Sequence, residues 1–171
     1  MADDLRKLTR QLQGAYSGEL AAGYAYRGHW KSLPAGEERE RIRVIESEEW
    51  HHRELVGAML RDLGGKPSRL REAIFFTIGK VLGAACHVSG WYLPMYGAGW
   101  LERHNIVEYE DAAVYAAGCG HPELIDCLLT MAEVEWEHER FFRECAAKRS
   151  LLKLWPAPPA KETIRAKRRA A

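Results

Sequence analysis

Glu49-Trp50-His51-His52 and Glu135-Trp136-Glu137-His138 are the two stretches on which the reading of this chain turns. Both are Glu-x-x-His. Each follows a lone glutamate, Glu19 or Glu102, at a distance of 30 or 33 residues. One arrangement therefore occurs twice. On a helix, positions i and i+3 share a face, so each Glu-x-x-His directs a carboxylate and an imidazole at one spot. Two such helices, with two more carrying a single Glu, collect four carboxylates and two imidazoles. That donor set suits two metal ions.

The surrounding periodicity supports this. Ile42, Ile45, Glu49, His52, Val56 and Met59 recur at three- and four-residue steps and form one inward stripe. Leu124, Leu128, Met131, Glu135, His138, Phe142 and Cys145 form another. A lone Glu-x-x-His on a polar helix reads most simply as a solvated pair. On an aliphatic stripe, an unpaired buried charge is costly, and a metal resolves the conflict. Glu48 and His51 have the same spacing but share a less apolar phase with Arg41 and Val44. In the first helix Tyr16, Glu19, Gly23 and Tyr26 share a face, with Gly23 expected to leave space beside the metals. For the third ligand-bearing helix the choice lies between Glu102 and Glu108. Glu102 shares its phase with Asn105, Ile106 and Tyr109, whereas Glu108 lies beside Glu110 and Asp111. The phase favours Glu102 mildly. His29, His87, His104 and His121 receive no role.

The chain has 171 residues, 47% of them hydrophobic, and a formal net charge of +1. This suits one domain with a real core and gives no global field for nucleic acid. Cys86, Cys119, Cys127 and Cys145 form no C-x-x-C pair and follow no secretory signal, so they read as free thiols in a reducing compartment. The polar N-terminus is neither a signal peptide nor a span. A cytoplasmic protein, peripheral on the inner membrane face, is the expectation.

Helical signals dominate, and the expected class is all-α. The pattern predicts helices over about 4–32, 37–63 and 123–150, with Ser68 capping another. The run from Ala73 to about 100 is apolar, with Lys80 as its only full charge. Its glycines and Pro94 argue against one straight membrane-spanning helix. An apolar helix, a kink near Gly90 to Gly97, and a helix carrying Glu102 to about Ala117 are expected. Residues 1–154 then form a four-helix bundle with the apolar segment as an extra crossover element, and 155–171 form a mobile basic tail. The arrangement matches the ferritin-like bundles that hold two iron or manganese ions.

Ser17-Gly18-Glu19-Leu20-Ala21-Ala22 resembles the first-helix signature of the demethoxyubiquinone hydroxylase family, a ferritin-like group. Leu82-Gly83-Ala84 through Gly90, Met95, Glu102 and Tyr109 is similar to that family's third-helix region. The resemblance covers about residues 14–142. It implies that Glu102 rather than Glu108 is a ligand, and that Tyr109 is the catalytic-site tyrosine standing behind the ligands. Glu19, Glu49, His52, Glu102, Glu135 and His138 are then the metal ligands. The family's His-Ala before the Gly-Glu pair is Tyr16-Ser17 here, and Glu108 stands where a histidine usually precedes the tyrosine.

A mixed carboxylate and imidazole set with open positions suits iron that activates dioxygen, though manganese takes the same donors. Glu49 and Glu135 are the natural bridging carboxylates, with Glu19 and Glu102 terminal. The resemblance implies hydroxylation of a quinone ring in ubiquinone biosynthesis, with electrons from an external donor. No G-x-G-x-x-G fingerprint is present, so a nicotinamide donor would not use a Rossmann domain. The apolar run supports a quinone or other lipid-like substrate and a membrane surface, with Lys66, Arg69 and Arg71 near anionic headgroups. It reads equally well as a buried cap or a homo-oligomer interface. Two competing functions share the pattern: an iron-handling protein of the bacterioferritin or rubrerythrin kind, and a non-enzymatic lipid-binding bundle.

Overall fold

A computed structural model describes residues 1–149 and 154–166, and all regular structure among them is helical. The all-α class is therefore as expected. The helices are α1 (Ala2–Ser32), α2 (Glu37–Asp62), α3 (Arg69–Ala85), α4 (Tyr92–Cys119), α5 (Ile125–Arg149) and α6 (Glu162–Ala166), with a 3-10 turn at Pro122–Leu124. The chain organises as two compact units, Thr9–Pro94 and Met95–Ala171 with Met1–Leu8.

Local chemistry sets the boundaries. Pro34 follows α1 closely and cannot continue it. Glu37, Glu38 and Glu40 occupy the first turn of α2, where the helix dipole favours negative charge. The ends of α2 and α4 share one device. Gly64 lies at φ +69°, its N–H reaches Arg61 O at 2.9 Å, and Gly65 N–H reaches Leu60 O at 2.8 Å. Gly120 lies at φ +85°, with Gly120 N–H to Ala117 O at 3.3 Å and His121 N–H to Ala116 O at 2.9 Å. Both are the left-handed glycine stop that satisfies the last carbonyls of a helix. Ser68 caps α3 by accepting from Arg71 N–H at 3.4 Å.

The apolar run 73–100 is divided between α3, a turn and the start of α4. The break is as expected at Gly90, which has φ +78°. It does not extend to Gly97, because Pro94 falls in the first turn of α4, where no intrahelical N–H bond is needed. In the unit 9–94, α3 buries only Gly79 and Gly83. A Cβ on Gly79 would lie 2.5 Å from Ala21 O, and one on Gly83 would lie 2.7 Å from Tyr24 O. At these two glycines the contact with α1 is thus backbone against backbone. The opposite face exposes Leu70, Ile74, Ile78, Val81 and Leu82, whereas Phe76 packs edge-on against Tyr24 of α1. No helix among the described residues is long and apolar enough to cross a membrane. No disulfide joins the four cysteines.

The segment from Trp155 to Ala166 differs from the expected mobile tail. Trp155 and Ile164 are buried. Trp136 Nε1 donates to Pro159 O at 2.9 Å, and Lys161 pairs with Glu137 at 2.7 Å. Arg165 binds Asp126 at 2.6 Å and also Glu133. The basic residues find the acidic outer face of α5, and the indole finds a buried acceptor. Composition alone conceals both partners. Lys167, Arg168 and Arg169, the rest of that basic run, lie outside the described residues.

Candidate metal centre

In the unit 9–94, α1 supplies Glu19 and α2 supplies Glu49 and His52. Each offers a ligand atom, and these atoms lie within 4.8 Å of one another. Glu49 is 0% exposed, and Glu19 and His52 are 3% exposed. In the unit containing 95–171, α4 supplies Glu102 and α5 supplies Glu135 and His138, again with ligand atoms within 4.8 Å. Glu135 and His138 are fully buried, and Glu102 nearly so. Each unit by itself thus assembles two carboxylates and one imidazole. His51 is exposed and Val44 is solvent-facing, so α2 turns the 49/52 pair inward, as its stripe predicts.

The second trio converges tightly. His138 Nδ1 lies 3.4 Å from Glu135 and 3.9 Å from Glu102. Asn105 Nδ2 donates to Glu102 Oε2 at 2.9 Å, which fixes the carboxylate and leaves its other oxygen toward the histidine. Tyr109 is buried two turns along the same face of α4. Glu108 is exposed and does not share it.

Two carboxylates buried this close raise each other's energy, since each prefers water and repels the other. A bound divalent cation offsets both costs. Hard carboxylates with a borderline imidazole make a donor set for a divalent metal ion, and three donors leave coordination positions open. The residues present fit a metal of this kind.

Gly23 plays a different part from the one expected. A Cβ there would meet the Trp50 ring at 2.6 Å, so the space is filled by an indole. That indole belongs to a network invisible from the motif. Glu46, buried on α2, accepts from Arg27 Nε and Trp30 Nε1, each at 2.7 Å, and from Trp50 Nε1 at 3.1 Å. Burial pushes its carboxyl pKa up, but these donors outweigh burial and hold it below the ordinary value of 4.5. Glu139, 1% exposed on α5, accepts from Trp155 Nε1 at 2.6 Å and pairs with Arg143. Each Glu-x-x-His helix therefore carries a further buried glutamate held by indole and guanidinium donors. The i, i+4 spacings Glu46/Trp50 and Glu139/Arg143 were the available signals.

Tyr16 and Ser17 also have work. Ser17 Oγ donates to Glu72 at 2.7 Å, Arg53 pairs with Glu72, and the Arg53 guanidinium lies 3.6 Å over the Tyr16 ring. This polar cluster ties α1, α2 and α3 together.

No protein-family model, curated protein or solved structure matches the chain.

Proposed function

We propose that this chain is an oxygen-dependent di-iron monooxygenase that hydroxylates the ring of a quinone, with one iron per Glu, Glu, His trio. The observation that carries the reading is the repetition: the same three donors, buried and mutually within 4.8 Å, in each unit. Iron held by these residues would supply the redox chemistry that cleaves dioxygen, with one oxygen atom entering a ring C–H bond and the other leaving as water. An external two-electron donor and two protons complete the balance. Within the chain, Asn105 orients Glu102, and His138 presents Nδ1 to the centre. Tyr109 is assigned as the catalytic-site tyrosine behind the ligands.

The exposed aliphatic face of α3 supports a lipid-like substrate met at a membrane surface, and with it a peripheral location on the cytoplasmic side. The same donors serve ferritin-like iron handling, so stoichiometry separates the readings. Protein reconstituted anaerobically with Fe(II) is assayed for bound iron before and after air exposure. Saturation near two irons per chain, followed by turnover of a short-chain quinone, supports the hydroxylase. Uptake far beyond two favours iron storage. No specific binding leaves a lipid-binding helical protein.

A further inference from the structure

Trp155 stands outside the metal-binding motif, yet its ring reaches both ligand-bearing helices of its unit. The indole is 4% exposed and donates to the buried Glu139 at 2.6 Å. Glu139 is the residue after His138. On the other side, a Cβ on Gly99 would meet the Trp155 ring at 2.3 Å, so only glycine admits the indole against α4. Gly99 lies one helical turn before Glu102. Tyr96 packs edge-on to the same ring, with centroids 5.0 Å apart. Arg143 lies over the ring at 5.0 Å and donates to Trp155 O at 3.0 Å. The indole is therefore wedged between Gly99, one turn before Glu102, and Glu139, the residue after His138.

We propose that Trp155 is a positioning residue for the Glu102, Glu135 and His138 trio, an inference that rests on the metal-binding reading above. It sets the spacing of α4 and α5 by filling the gap at Gly99, and it fixes α5 through Glu139. Ligand geometry on two different helices depends on such supports, and their loss typically costs about 10–100-fold in metal affinity. The arm beyond Trp155 is held separately, by Lys161 and Arg165 on the outer face of α5.

The test is Co(II) titration of the metal-free full-length chain, read by affinity and by the ligand-field absorption of the ion. Trp155→Phe keeps a ring but loses the N–H donor, and is expected to weaken one of two Co(II) ions about tenfold and shift its bands. Trp155→Ala should approach a hundredfold. Arg165→Ala, which removes an anchor of the arm, should leave affinity and bands unchanged. Two Co(II) ions bound with unchanged affinity and bands in both Trp155 variants would overturn the proposal. So would an Arg165→Ala loss as large as that of Trp155→Phe. If the wild-type chain binds no metal, the function proposed above fails separately. The clamp is then read by amide hydrogen exchange over residues 98–105, where Trp155→Ala should lose about tenfold in protection. Unchanged protection there rejects it.

Discussion

Gly28 on α1 and Gly83 on α3 approach so closely that a Cβ on Gly28 would lie 2.2 Å from the Gly83 carbonyl oxygen. No rotamer relieves a clash with backbone, so the helices themselves must separate. Gly28→Ala is expected to destabilise the chain by about 1–3 kcal/mol. Gly18 is the control: nothing lies within 4 Å of an added Cβ. There alanine should stabilise by about 0.5–1 kcal/mol through helix propensity. Urea midpoints of the two variants check both signs, and a loss equal at both positions contradicts the close approach.

Glu49→Ala and Glu135→Ala each remove a fully buried donor. Each is expected to lower bound iron below two per chain and to abolish turnover of a short-chain quinone. His51→Ala alters an exposed histidine next to the buried His52 and should leave both unchanged. Turnover that survives Glu135→Ala means the site is misassigned.

His29 is buried, and burial lowers its pKa from 6.5 to about 4. The unfolded chain therefore binds more protons than the folded one between those values. Stability is complete above pH 6.5 and falls as pH drops toward 4. The gap corresponds to about 3 kcal/mol at its lower end. His29→Gln should flatten that segment of the stability profile, as read by denaturant titrations from pH 7.5 to 4.5. Parallel profiles for the two proteins count against it.

Glu46 behaves in the same direction in a more acidic window. Its folded pKa is held below 4.5 by Trp30, Trp50 and Arg27 against the effect of burial. Its contribution is present above pH 4.5 and is lost as pH falls through the lower folded value. The difference in stability between the wild type and Glu46→Gln should therefore shrink below pH 4.5. A constant difference down to pH 3 contradicts the assignment.

The helices, and the inward convergence of Glu19, Glu49 and His52 and of Glu102, Glu135 and His138, were legible because a period of three and four residues leaves its mark on the sequence itself. Ile42, Ile45, Val56 and Met59 announce the inward face of α2, and Gly64 its end. Glu46 and Glu139 were not legible, because their partners include Arg27, Trp30 and Trp155, which are distant in sequence. A buried glutamate and a solvated one look alike until the donor is located. The docking of residues 155–166 was illegible for the same reason, since their proline-rich composition says nothing of the acidic outer face of α5. The indole against Gly23 was equally hidden, because a missing side chain does not reveal which neighbour fills the gap.

The two faces of α3 answer to different pressures. Its inner contact is written in Gly79 and Gly83, which tolerate almost nothing else. Its outer face, with Ile74, Ile78, Val81 and Leu82, has little part in holding the helix in place. The outer residues can therefore drift or be redesigned to polar ones while the helix keeps its seat. A variant recoded on that face alone would separate what the helix touches from how the chain folds.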